Sequence, residues 1–125
     1  MRELKKVPFK WGFREETASL CVDSYYYGNG MLIEIIHYED DEPDLFADMT
    51  INLPGYTLAP NEAAIDGDIS KDILKFIKEQ KLGTVLPYTL KSGMAKYSVV
   101  AFDLDRLREF DPEGVDKYKA LRGIN

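Results

Sequence analysis

Residues 18–38 read ASLCVDSYYYGNGMLIEIIHY, and this stretch decides the fold. Two runs rich in Val, Leu, Ile, Cys and Tyr flank Gly28-Asn29-Gly30, residues that tolerate positive φ. Turn residues of that kind between two β-rich runs are the sequence signature of a hairpin. Residues 18–27 and 31–38 are therefore expected as its two strands. Before it, residues 7–14 alternate loosely as a further strand. After it, a polar break at 39–44 precedes a fourth strand over 45–53, with Phe46, Met49 or Ile51, and Leu53 toward the core and Pro54-Gly55 as its end.

The clearest helix spans residues 71–82. Ile73, Leu74, Phe76 and Ile77 fall on one face, and Lys71, Lys75 and Lys78 on the opposite one. Ser70 stands as N-cap, Asp72 sits where the helix dipole favours negative charge, and Ile69 with Leu74 occupies the two positions of a hydrophobic staple. Gly83 is expected to end the helix in the left-handed conformation. A last strand fits 96–102, where Val99 and Val100 raise β-propensity. Beyond Asp103, residues 104–110 form a short helix, and Asp111-Pro112 reads as an N-cap followed by proline at the first position of a second helix, ending near Leu121. The pattern leaves open whether this tail packs on the sheet or projects. The expected architecture is α+β: an antiparallel β-sheet with one main packed helix (about 71–82) and a short helical C-terminal tail. It forms one domain over 1–125, with its core at about 7–103 and the tail at 104–125.

At 125 residues with 45% hydrophobic content, the chain has enough apolar surface for a real core. Its single cysteine, Cys21, excludes an intramolecular disulfide and fits a reducing compartment. No segment resembles a signal peptide or a membrane span, so a cytoplasmic protein without membrane contact is expected. Charge is segregated. Residues 15–70 hold thirteen Asp or Glu and no Lys or Arg, whereas residues 1–14 hold five basic residues and one acid. The net charge is −6 and the pI near 4.8, which argues against direct binding of nucleic acid. The segregation points to a basic protein partner, a cation or imitation of a nucleic-acid surface, unless the acids serve solubility alone.

No catalytic, cofactor or metal motif stands in the chain. The run Glu39, Asp40, Asp41, Glu42, Pro43, Asp44 lacks the alternate ligand spacing and central glycine of a calcium loop, so it reads as a solvated loop or a docking surface. His37, the only histidine, shares a strand face with Ile35 and is expected to be packed. Cys21, between Leu20 and Val22 and far from any basic residue, reads as a buried, inert thiol. Alternation puts Tyr25 and Tyr27 on one face and Tyr26 on the other, leaving at least one ring at the surface near the hairpin tip. The lysine face of the helix reads as solvated.

Several segments in a fixed order carry a resemblance. These are Asp48-Met-Thr-Ile-Asn-Leu53, then Leu58-Ala-Pro-Asn-Glu-Ala-Ala-Ile-Asp66, the helix, Lys81-Leu-Gly83, and Ser92-Gly93 before a Tyr-containing final strand. This order resembles a family of short bacterial proteins known only as a domain of unknown function, common in Gram-positive bacteria and in their phages and conjugative elements. The resemblance covers about 31–102 and rests most on Asn61-Glu-Ala-Ala-Ile-Asp66. It implies no activity, cofactor or catalytic residue. Residues 84–91, where the family implies more glycine, and the tail after Phe102 depart from it. Taken physically, Ala63, Ala64 and Ile65 form a short buried strand and Asp66-Gly67 a turn. Glu62 and Asp66 stand about 13 Å apart in an extended chain, too far to share one substrate atom.

The leading expectation is an interaction module without cofactor or metal that offers an acidic, tyrosine-bearing surface to an unknown, basic protein partner. Tyr25, Tyr27, Glu39, Asp40, Asp41, Glu42 and Asp44 are its candidate contacts. An alternative is a nucleic-acid mimic that inhibits a host nucleic-acid enzyme on behalf of a mobile element. A third reading is a small enzyme with a site around His37 joined by Glu34, Tyr25 or Asp48. An exposed edge strand leaves a homodimer open.

Overall fold

The computed structural model describes residues 4–28, 30–53, 55–66 and 70–124. β1 (Val7–Trp11) pairs antiparallel with β2 (Arg14–Ser24) across a two-residue turn that starts with Gly12 at φ 57°. A tight hairpin favours glycine at such a position because most L side chains resist positive φ. β2 pairs with β3 (Met31–Glu39), forming the hairpin signalled by residues 18–38, and β3 pairs with β4 (Glu42–Asp48). The expected polar break at 39–44 shrinks to two residues. Asp40 (φ 50°) and Asp41 (φ 65°) form a mirror-image turn that sets Glu39 opposite Glu42. Asp tolerates the left-handed region better than most residues. Pro43 fits within β4 because β4 is an edge strand.

The single strand expected over 45–53 is two strands in different sheets. β4 stops at Asp48, and β5 (Thr50–Ile51) pairs with β6 (Glu62–Ile65). Buried Thr50 makes the crossing possible. Its Oγ1 accepts from Ile33 N (3.1 Å) and donates to Met31 O (3.0 Å), so a side chain replaces the next ladder bonds to β3. Of the residues expected to face the core, Phe46 and Met49 join the main core, while Ile51 and Leu53 pack on a smaller cluster around Ala64, Leu90 and Val99.

The second sheet has the order β5-β6-β8-β7, completed by β7 (Gly83–Ser92) and β8 (Ala95–Phe102). β7 has no counterpart among the expected strands. Pro87 breaks its pattern, yet it sits in a register shift between Val85 and Thr89, where no ladder bond is lost. α1 (Ser70–Glu79) ends earlier than expected. Lys81 (φ 56°), not Gly83, takes the left-handed conformation, with Leu82 N donating to Ile77 O (2.9 Å) and Lys81 N to Lys78 O (3.2 Å). Gly83 is required for another reason: a Cβ there would lie 2.4 Å from Ala101 O and 2.9 Å from Phe102 Cα on β8. Ile69, and with it the expected staple, lies outside the described residues, as does the Ser70 side chain.

The tail packs. α2 (Leu104–Phe110) and α3 (Pro112–Arg122) bury Leu107, Phe110, Val115 and Tyr118 in the same cluster as Phe9, Leu20, Ile33 and Val100. Each such side chain stabilises the fold by about 1.5–3 kcal/mol. Thus three helices, rather than one main helix with an appendage, accompany the antiparallel sheets among the described residues. The cause lies in strand length. β1 pairs with β2 only as far as Ala18, leaving the next residues of β2 with an open edge. Asp111, buried between α2 and α3, closes it: Oδ2 accepts from Val22 N (2.9 Å) while Oδ1 caps α3 through Gly114 N (3.1 Å). At the other edge of the core, Phe76 of α1 meets Phe9 edge-to-face at 5.0 Å.

Candidate functional site

A cleft of about 380 Å³ opens where the β2–β3 connection, the segment after β5 and the end of α3 converge; Tyr25, Tyr27, Asn52, Tyr56, Glu62 and Arg122 are among its walls. Its size falls in the range of ligand and side-chain pockets. β2 stops at Ser24 because Tyr25 N donates to Gly30 O (2.8 Å), closing the connection on itself. The alternation expected for the three tyrosines is lost there. Tyr25 turns inward, its hydroxyl donating to Thr50 O (2.9 Å) and lying 3.0 Å from Thr50 Oγ1. Tyr26 and Tyr27 both face solvent, 88% and 76% exposed, with rings edge-to-face at 4.9 Å.

The opposite wall is a strap, residues 52–59 with Pro54 outside the described set. Asn52 Nδ2 donates to Tyr27 O (3.0 Å), tying strap to connection. The Tyr56 hydroxyl donates to Lys91 O and accepts from Lys91 N (3.2 Å), pinning the strap across the second sheet. Glu62 Oε1 accepts from Ala59 N (2.9 Å). Arg122 Nη1 donates to the Tyr118 hydroxyl (3.3 Å), which itself donates to Pro60 O. Polar groups on both walls are thereby held in place by backbone partners.

The field around the cleft is acidic at its Tyr25 end. Burial, then the charges of Asp48, Asp66 and Glu34, push the Tyr25 phenol above its ordinary value, against the hydrogen bond to Thr50. Glu34 and Asp48 are direct cross-strand partners, and Asp66 N donates to Met49 O (3.0 Å) beside them.

The structure separates the expected contact residues into two groups. Tyr25 and Tyr27 lie at the start of β3, whereas Glu39, Asp40, Asp41, Glu42 and Asp44 lie at its far end, about 26 Å away along the strand. Tyr25, Glu34 and Asp48 come together as the His37-centred reading requires, but His37 does not join them. It stands three residues from Glu34 and so on the other face of β3. There its Nδ1 lies 3.5 Å from Glu16 Oε2, its Nε2 3.7 Å from Asp44 Oδ2, and its ring packs on Phe46. The described residues contain no set of three metal-type ligands. Cys21 is partly exposed rather than buried, since it alternates with buried Leu20 and Val22 and stands opposite Glu34 on β3. Lys71, Lys75 and Lys78 are exposed as expected.

Sequence reasoning did not find Asn52, Tyr56 or Arg122. They stand far apart in the chain, and no local pattern of residue types marks them as neighbours of Tyr25 and Tyr27. No helix among the described residues is long and apolar enough to cross a membrane.

The chain belongs to the family described as a domain of unknown function, DUF4313, whose model matches residues 19–121. The match reaches beyond residues 31–102 at both ends: it includes most of the first strand of the 18–38 hairpin and the helical tail as far as Leu121. No curated protein and no solved structure matches the chain.

Proposed function

We propose that this protein is a docking module that takes a basic segment of a protein partner at the cleft end of the first sheet. The observation that carries the reading is the pair Tyr26–Tyr27, exposed side by side at the mouth of a cleft whose wall residue Tyr25 feels the charges of Asp48, Asp66 and Glu34. Exposed aromatic rings are the side chains that most often anchor protein interfaces. A lysine or arginine entering between Tyr27 and Tyr56 gains from the ring faces and from the nearby carboxylates together. An anionic ligand meets the same carboxylates as repulsion, and the Arg122 guanidinium is directed to Tyr118. The acidic run at 39–44 belongs to the other end of the molecule and is not part of this contact.

Calorimetric titration with an extended peptide rich in Lys and Arg, and with its Glu-for-Lys counterpart, tests the reading. Binding of the basic peptide alone is expected, with Tyr27→Ala weakening it by about 2 kcal/mol or more. Equal binding of both peptides, or binding indifferent to Tyr27, contradicts it.

A further inference from the structure

The opposite end of the first sheet carries a second, independent surface. β1 and β3 run the same way, so the Gly12-Phe13 turn and the Asp40-Asp41 turn project from one end. Phe13 at that end is fully exposed, 109% of its reference area. Beside it on the β1 side stands the start of α1, fixed there by Gly12 N donating to Asp72 Oδ2 (3.3 Å), with Lys71 and Lys75 exposed. On the β4 side stand Glu39, Asp40, Asp41 and Glu42, also exposed. β1 and β4 are three strand spacings apart, about 14 Å. None of these lysines or carboxylates forms an ion pair with another described residue.

An exposed aromatic with opposite charges on its two flanks is self-complementary. A twofold axis in the plane of this end, perpendicular to the line joining the charges, superposes the acidic flank of one copy on the basic flank of the other. The same rotation sets ring against ring, and it closes after two copies. We infer that this end docks a second copy of the chain head to head, with Phe13 at the centre and the acidic turn of each copy against the start of α1 of the other. A basic protein partner would use the acidic turn but leave Phe13, Lys71 and Lys75 without a role. The net charge of −6 opposes the approach at long range, but at 0.1 M salt that repulsion is screened beyond about 10 Å, whereas contact pairs are not.

Sedimentation velocity on two charge-reversed chains tests this. Glu39→Lys/Glu42→Lys sets two lysines beside Asp40 and Asp41 and so removes the net charge of the turn, and Lys71→Glu/Lys75→Glu has acidic groups on both flanks. The account predicts that wild type dimerises, that each variant alone is monomeric, and that an equimolar mixture of the two forms a heterodimer. Phe13→Ser weakens the wild-type dimer by about thirtyfold. Because the mixture regains what each variant loses, misfolding cannot mimic the result. A monomeric wild type, a mixture that stays monomeric, or a dimer indifferent to Phe13 overturns the inference. Nothing in this test involves the cleft, so it stands or falls apart from the docking of a basic segment.

Discussion

The two ends of β3 differ in how the chain turns. At Glu39 the chain reverses in two residues, Asp40 and Asp41, and the side chains there point to solvent. At Met31 the chain arrives from a longer connection that folds back on itself, buries Tyr25 against Thr50 and leaves Tyr26 and Tyr27 outside. The first end is a flat display of charge. The second has depth, because the crossing from β4 to β5 beneath it opens a gap between the sheets. One strand thus serves two surfaces whose chemistry differs with backbone path as much as with residue type.

The largest effect is expected at the support common to both. Asp111→Ala leaves Val22 N and the first turn of α3 without their acceptor, and should destabilise the fold by about 2–4 kcal/mol in denaturant titrations. A smaller, one-sided effect is expected from Thr50→Val, which keeps shape but removes the hydroxyl that bonds Ile33, Met31 and Tyr25. It should cost about 1–3 kcal/mol, with chemical-shift changes at the cleft end and none at Asp40–Asp41. If the turn shifts as much as the cleft, the two ends are one unit and the comparison fails.

Alkaline titration separates the ends by chemistry. The Tyr25 and Tyr118 phenols are both raised by burial, so the folded state holds their protons more tightly than the unfolded chain. Their contribution to stability is complete below the unfolded value of about 10 and is lost as pH rises through the folded values. Tyr25→Phe should reduce this loss, visible as a flatter fall in stability above about pH 10. The smallest effect is expected at the tight turn. Asp41→Gly removes a side chain from the left-handed region and should stabilise the fold by about 0.5–1 kcal/mol, without altering the cleft.

What the sequence made legible was local. The 18–38 hairpin, the buried strand at Ala63–Ile65, the body of α1 and the Asp111-Pro112 helix start all rest on neighbours within a few positions, and all are present. The misses depend on distant partners. Thr50 divides a strand because its hydroxyl reaches backbone groups of β3, and Gly83 is glycine because β8 passes against it. β7 is not legible locally, because Pro87 interrupts its run and only the register shift against β8 accommodates it. The tail's placement turned on Asp111 meeting Val22, 89 positions away. The cleft combines residues near positions 25, 52, 62 and 122, and no short pattern carries such a site. The tyrosines and the acidic run were both legible as surface features. Their separation was not, because sequence proximity hid the length of the strand between them.

The central claim is that the cleft end, not the acidic turn, receives a basic segment. Two-dimensional ¹⁵N NMR spectra recorded while a Lys/Arg-rich peptide is added test it directly. The account predicts concentration-dependent shifts at Tyr25, Tyr26, Tyr27, Asn52 and Glu62, with Asp40 and Asp41 unmoved. Shifts confined to the acidic turn, or none at any peptide concentration, would contradict it.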